Sequence, residues 1–366
     1  LDWLRLIRSK NIGATTFHEL IRHFSTVSAA IEALPELARQ GGRRAPRSIV
    51  SRDEADIELE QARKIGARLI CLGERGYPQR LAAIEAPPPV LYVKGRLQLA
   101  DVPMVAIVGA RNGSAVGQKF TRTIAADLGQ IGFAIASGLA RGIDTAAHKA
   151  SLETGTVAVL AGGLGSVYPP ENEDLQNKIG EVGLLVSERP PTFKPAGRDF
   201  PRRNRLISGV AAAIVVVEAA KRSGSLITAR YAGEQGREVL AVPGHPLDPR
   251  AAGTNRLIQD GAGLITCVDD IASVLAPILG ATGESSRERE SLDVTDDRAN
   301  TPSAELDGSS RQQVVDALGV SPVDVDELIR MTGLPAGQVQ IVLLELDLAG
   351  RLERHGHQLV SRKDAS

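Results

Sequence analysis

Between Arg198 and Arg205 lie four arginines and one acid, Asp199, in a 366-residue chain whose formal net charge is only −1. Charge gathered in this way is local and aimed. Arginine grips phosphate or carboxylate through a planar fork of donors. The segment Phe200-Pro201-Arg202-Arg203-Asn204-Arg205 continues into a helix-like stretch and the apolar run Ala211 to Val217, so amides at a helix start would converge on the same anion. The bland alternative is a surface helix start with solvated arginines.

Glycine-rich turns repeat the theme. Val108-Gly109-Ala110-Arg111-Asn112-Gly113, Ser137-Gly138-Leu139-Ala140-Arg141-Gly142-Ile143-Asp144, Ala161-Gly162-Gly163-Leu164-Gly165 and Lys221-Arg222-Ser223-Gly224-Ser225 each follow a short apolar run. Glycine lets an anion approach the backbone, and a Ser-Gly-Ser turn opening a helix offers hydroxyls and amides to a phosphate. No Walker lysine is present, and Gly109-x-Arg111-x-Gly113 lacks the Gly-x-Gly-x-x-Gly order of a dinucleotide site. Asp144 and His148, one helical turn apart, read as a hydrogen-bonded helix cap more readily than as a base with its orienting carboxylate, because no nucleophile has a matching position. Glu188 and Glu218 end strands and read either as a carboxylate pair or as holders of the arginines.

These turns need a scaffold. Apolar runs at Met104–Val108, Phe133–Ser137, Val157–Leu160, Gly183–Ser187, Ile214–Val217 and Val239–Val242 alternate with amphipathic stretches, the pattern of a parallel sheet covered on both faces. In that α/β fold all the turns fall on the carboxyl edge of the sheet. Ahead of it, a strand near Arg68 to Leu72 is followed by Pro87-Pro88-Pro89 and Val90 to Gly95, read as an extended connector.

Residues 1–66 read as a helical domain: Trp3, Leu4, Ile7, then Phe17, Leu20, Ile21, Phe24, then Val27, Ile31, Leu34 keep helical spacing. Asn11-Ile12-Gly13-Ala14-Thr15 makes a hairpin turn with Thr15 or Thr16 as the cap of the next helix. That pair reads as plain helical packing, with a nucleic-acid-binding helix-hairpin-helix as the second reading, so the domain is expected to be SAM-like or helix-hairpin-helix-like. Gly41 to Pro46 is a loop by composition. Residues 67–279 form the central domain. Residues 280–310, with eight acids against three arginines, read as an acidic flexible linker.

Residues 311–366 give three helices and an extended pair, a winged-helix order. The front of its third helix, Ala336-Gly337-Gln338-Val339-Gln340, lacks the cations of a duplex reader. Protein docking or self-association is therefore expected of it. His355-Gly356-His357 lacks the further ligands of a metal site.

Composition excludes other classes. No apolar run is long enough to span a bilayer, and Leu1-Asp2-Trp3-Leu4-Arg5 lacks the order of an export signal. Cys71 and Cys267 make neither a disulfide framework nor a cysteine metal box. A cytoplasmic protein is expected. A pI near 6.7 confines any nucleic-acid contact to a groove or patch, and 3% aromatic residues argue against a broad stacking platform. Phe200 is the best candidate to stack a base, with core packing as its alternative.

The succession from Gly109-Ala110-Arg111 through Ser137 to Asp144, His148, Tyr168-Pro169, Phe200 to Arg205, Ser223 to Thr228 and Val242-Pro243-Gly244 resembles the DprA/Smf family, without a break from about Tyr77 to Ala262. The resemblance implies a Rossmann-like centre that binds single-stranded DNA without sequence preference, helps to load RecA in natural transformation, dimerises through that domain and has no established catalysis or cofactor. It implies DNA contacts from Arg111 and from Arg202, Arg203 and Arg205, with Ser223 and Ser225 less secure. Taken with the turns, the DNA-binding set is Gly109, Arg111, Ser137, Gly138, Arg141, Phe200, Arg202, Arg203, Asn204, Arg205, Lys221, Ser223, Gly224 and Ser225. Ala110 stands where many relatives have a hydroxyl. The rival enzymatic reading, similar to lysine-decarboxylase-like phosphoribohydrolases, would hold phosphate with Gly162 to Gly165 and Ser223-Gly224-Ser225 and use Glu188 or Glu218 as acid or base. A third reading makes the chain a transcriptional regulator acting through its tail.

Overall fold

A computed structural model describes residues 1–24, 26–42, 49–285, 308–355 and 358–363. Arg43 to Pro46, most of the acidic linker and His357 lie outside the described residues. The chain divides into two units: residues 56–292, and a second one made of 1–55 together with 293–366.

In the second unit, α1 (Asp2–Arg8), α2 (Ala14–Phe24) and α3 (Val27–Gln40) pack Leu6, Phe17, Leu20, Ile31 and Leu34 against one another. Of the periodic residues Leu4, Phe17, Leu20, Ile31 and Leu34 are buried, while Trp3, Ile7, Ile21, Phe24 and Val27 are half-buried at the edge of this core. Thr15 and Thr16 lie inside α2 rather than capping it, because the helix already begins at Ala14. Thr16 is buried, and the cap of α3 is Thr26, whose side chain accepts from the Ala29 amide at 3.2 Å.

The central unit is entered through α4 (Arg52–Lys64), β1 (Arg68–Cys71), α5 (Gln79–Ala82) and β2 (Val90–Gly95). The expected connector is therefore a strand from Val90 onward. The three prolines stop just before it, and Val90 to Val93 are all buried, so the extended chain meets its hydrogen-bonding needs by pairing. Then follow β3 (Met104–Val108), α6 (Ala115–Gln130), β4 (Ala134–Ser137), α7 (Ile143–Ala150), β5 (Thr156–Val159), α8 (Glu173–Val182), β6 (Leu184–Ser187), α9 (Asp199–Val210), β7 (Ala213–Val216), α10 (Gly224–Glu234), β8 (Glu238–Ala241), α11 (Ala252–Gln259), β9 (Gly263–Leu264) and α12 (Val268–Ser285).

The nine strands lie in the order β1-β2-β6-β5-β4-β3-β7-β8-β9. β3 to β9 run parallel and β2 joins β6 antiparallel. Alternation sorts the core: Val105 and Ile107 of β3 face Ile124, Leu128 and Ile143, while Ala106 and Val108 face Leu206, Ile207 and Ala229. From β3 the chain steps outward one way through β4, β5 and β6, then the other way through β7, β8 and β9. The reversal at β3 opens a crevice at the carboxyl ends of the strands, where such sheets hold ligands.

The tail comprises α13 (Gly308–Ala317), β10 (Val323–Asp324), α14 (Val325–Thr332), α15 (Ala336–Ala349), β11 (Leu352–Arg354) and β12 (Leu359–Arg362), with sheet order β10-β12-β11. This is a winged helix. No helix among the described residues is long and apolar enough to cross a membrane.

Candidate nucleic-acid interface

The arginine cluster is not a loop. Asp199 opens α9, where its carboxylate accepts from the Ala196 amide at 2.9 Å and pairs with Arg189 at 2.7 Å. Helical geometry then fans the cluster out at about 100° per residue. Phe200 and Arg203, three residues apart, share one face; Arg202 is exposed; Arg205 turns elsewhere.

Phe200 and Arg203 face a cavity of about 220 Å³ lined also by Arg111 and Asn112 beyond β3, Gly138 to Arg141 beyond β4, Leu160 to Gly162 beyond β5, and Tyr168. The Arg203 guanidinium is its floor. Nη1 donates to the carbonyl oxygens of Gly138 (2.7 Å) and Val159, and Nε donates to Asn204 Oδ1 at 3.3 Å. Gly138 is required here, because a Cβ would come within 2.7 Å of Arg203 Nη2. Among the described residues Nη2 has no bond, and it is not sealed from solvent, so it still offers its donors to the cavity. Burial lowers the Arg203 pKa to about 10, with nearby Asp144 opposing the fall and Arg111 adding to it. The group therefore stays charged at neutral pH.

Asp144 is the counter-charge. Its Oδ2 accepts from the amides of Gly138 (3.1 Å) and Ala140 (3.3 Å). Burial raises its pKa, while Arg203 and these amides pull it down. His148 does not cap with it: the imidazole Nδ1 pairs with Thr156 Oγ1 at 2.7 Å. Burial first, then Arg203, lowers the His148 pKa to about 3, so it is neutral. The expected cap fails because α7 turns both side chains inward, where each meets a different neighbour.

One wall is aromatic. Tyr168 and Phe200 tilt together with ring centroids 4.9 Å apart, and the Arg111 guanidinium lies 5.6 Å over the Phe200 ring. Arg111 is exposed and makes no ion pair with the described residues. Arg141, at the same rim, is paired with Glu171 at 2.5 Å. Gln176 lines the far side, its amide nitrogen donating to Leu164 O (3.2 Å) and Ser166 O (3.4 Å) while Oε1 has no partner among the described residues.

Other residues of the expected set lie apart. Ser137 is fully buried and donates to Ile107 O at 2.6 Å. Gly109 serves packing, since a Cβ would come within 2.7 Å of Ile143. Arg205 pairs with Glu188 at 2.6 Å and donates to Ala86 O at 3.2 Å. Asn204 reaches Gly224 O at 3.1 Å, tying α9 to the start of α10, where Ser223 and Ser225 hydroxyls bond each other at 2.7 Å. Gly224 is open to solvent, with nothing near a would-be Cβ. Lys221 borders a separate groove of about 680 Å³ with Leu226, Pro243, Arg256 and Leu264. The shared cradle therefore holds Arg111, Gly138, Arg141, Phe200 and Arg203, and leaves out Arg205 and Ser225.

Sequence reasoning left out Tyr168 and Gln176. Tyr168 carried a usable signal, an aromatic side chain beside Pro169-Pro170 in a chain with four tyrosines; Gln176 carried none. Neither carboxylate of the enzymatic reading lines the cavity: Glu188 holds Arg205, and Glu218 holds Ser114 at the start of α6 through 2.6 and 2.8 Å bonds. Among the described residues no cluster of three or more His, Cys, Asp or Glu side chains gathers to hold a metal.

A Rossmann-like sheet with a cavity at its carboxyl edge, cationic below and aromatic at the side, places the chain in the class of α/β proteins with a crevice at the topological switch point of the sheet. Within that class the chain belongs to the DNA recombination-mediator protein A family, whose model matches residues 68–276. The family's N-terminal HHH domain matches residues 1–61 and its winged helix domain residues 298–357. The chain is 33% identical to protein Smf of Synechocystis, with 95% of each chain covered. It is 36% identical to a putative DNA processing protein DprA of Mycobacterium tuberculosis over 90% of this chain and 85% of that one. The X-ray structure of DprA from Streptococcus pneumoniae superposes with a TM-score of 0.66 at 33% identity, covering 75% of this chain and 97% of that one. DprA from Helicobacter pylori, described with a single-stranded DNA binding mode, superposes with a TM-score of 0.52 at 29% identity, covering 57% of this chain and 96% of that one.

Proposed function

We propose that the chain binds single-stranded DNA across the carboxyl edge of its central sheet. A base enters the cavity against Phe200 and Tyr168, and the sugar-phosphate backbone runs past Arg111 and Arg202. The observation that carries this reading is the pairing of a buried, charged Arg203 with an aromatic wall in one small cavity. A phosphate alone would need the cations without the rings. A duplex would keep its bases stacked away from such a cavity, so single strands are favoured.

Sequence tolerance follows from stacking, since every base has a π-face. Transfer of the bound strand to RecA belongs to the same proposal and rests on membership of a recombination-mediator family. Pairing of two copies through the Rossmann-like domain is supported by exposed Leu264 of the outer strand β9 and by exposed Leu247.

The test is a titration of labelled single-stranded and double-stranded oligonucleotides over a range of salt, with wild type and Arg111→Ala. Single strands should bind more tightly, with a shallower salt dependence in the variant. Equal affinity for both forms, or an unchanged slope, would sink the proposal. Release of free base from nucleoside monophosphates would favour the phosphoribohydrolase reading instead.

A further inference from the structure

Several helices of the central unit match a surface cation with an acid one turn away. Arg63 pairs with Glu60 on α4, Lys178 with Glu181 on α8, Arg230 with Glu234 on α10, and Arg256 pairs with Asp260 just past the end of α11. α6 departs from this habit. Its Lys119 and Arg122 are exposed, share one face by their spacing, and make no ion pair with the described residues. No acid stands three or four residues from either of them. Ala115, Val116 and Thr123 complete the exposed face, and Val116, 78% exposed, is a large apolar side chain left in water.

This face begins at the cavity. Ser114 caps α6 by accepting from the Gly117 amide at 2.9 Å, and Arg111, whose guanidinium lies over Phe200, is three residues before that cap. At 1.5 Å per residue, Lys119 and Arg122 follow about 8 and 12 Å beyond it along the helix axis. The rim beyond β5 carries the other sign. The chain entering α8 brings exposed Glu171, Glu173 and Asp174; Glu171 is engaged by Arg141, and the other two make no ion pair with the described residues. A sugar-phosphate chain leaving the cavity is therefore repelled on the α8 side and drawn toward α6, over the roughly 10 Å at which exposed charges still act in 0.1 M salt.

We infer that a bound single strand turns from the cavity onto the solvent face of α6, where Lys119 and Arg122 take two further phosphates and Val116 lies against a sugar or base between them. The inference rests on the cavity reading above and adds a direction to it: the strand leaves past β3, not past β5.

The full-length protein tests it, titrated over a range of salt with single-stranded oligonucleotides of about five and about fifteen nucleotides, which bracket ordinary site sizes. Lys119→Ala with Arg122→Ala alters two exposed side chains and no core contact. With the longer strand this pair is expected to lower the log–log salt slope by about 1.4, at about 0.7 per phosphate. With the shorter strand, which fills the cavity and little more, the slope is expected to stay. Acylation by an amine-reactive reagent gives a second readout: the longer strand should protect Lys119, and neither strand should protect Lys178 on α8. An unchanged slope with the longer strand, or an equal fall with both, would overturn the inference, as would protection of Lys178 in place of Lys119. A fall in Lys221→Ala with Arg222→Ala that is absent from the α6 pair would send the strand across β7 and overturn it too. Arg111→Ala, run alongside, keeps the two readings apart. If it lowers the slope with both strands while the α6 pair changes nothing, the cavity reading stands and only the path over α6 falls.

Discussion

Arg203 donates to the carbonyl of Gly138 at 2.7 Å across 65 residues of sequence, and that bond joins the first turns of α9 to the loop leaving β4. The loop's other anchor is Asp144, so one cation and one anion hold the floor of the cavity in shape. Removing either leaves its partner's charge buried, which typically costs about 3–5 kcal/mol. Arg203→Met and Asp144→Asn should each lower stability by an amount of that order, and the double variant by less than the sum. Urea denaturation of the four proteins checks this; strict additivity would mean that the two side chains are energetically separate.

Arg111 and Arg205 should behave in opposite ways. Exposed and without an ion pair among the described residues, Arg111 is free to meet a phosphate. Arg111→Ala should reduce the log–log salt slope for single-stranded DNA by about 0.7 while leaving stability within about 0.5 kcal/mol. Arg205 is held by Glu188 and Ala86 O, so Arg205→Ala should lower the denaturation midpoint with the slope intact. Exchanged phenotypes would move the DNA path to the other side of α9.

Phe200→Ala and Tyr168→Ala remove the ring pair but no charge. Loss of base stacking is typically worth about 1–3 kcal/mol per base, so affinity should fall by roughly five- to 150-fold with the salt slope unchanged. Quenching of a 2-aminopurine base in the oligonucleotide provides a second signal, expected for wild type and lost in Phe200→Ala. Full affinity in both variants would mean that no base enters.

Acid should weaken the central unit through His148. Its folded pKa of about 3 lies below the ordinary value of 6.5, so between these limits the unfolded chain binds the extra proton. Stability from this group is complete above pH 6.5 and is lost as pH falls toward 3, at about 1.4 kcal/mol per pH unit. Asp144, with its raised pKa, works the other way, its contribution being lost as pH rises. His148→Asn should flatten the acid limb of the stability curve by one proton, measured by urea melts from pH 7 to 4.

The sheet was readable because β3 to β7 are short apolar runs buried on both faces, and strands of that kind leave little doubt in a sequence. The strand Val90–Gly95 was hidden by the prolines before it, which speak of extension and not of pairing. The arginine cluster misled for a geometric reason. Four cations close in sequence look like one patch, yet on a helix Arg202, Arg203 and Arg205 leave the axis in different directions, toward solvent, cavity and Glu188. Ser137 misled in a similar way: as the last residue of β4 it seemed to open a loop, but its hydroxyl turns back to Ile107 O. Gln176 reaches the cavity only through long-range packing, which no local pattern records.

The shared core of the two chain ends has a consequence during synthesis. Gly41 waits for Arg351, 310 residues later. At ribosomal speeds of about 5–20 residues per second this is a delay of roughly 15–60 s. Throughout that time Leu20 and Leu34 belong to a half-finished body, so helices made ahead of the central unit find their complete burial only after that unit has been made.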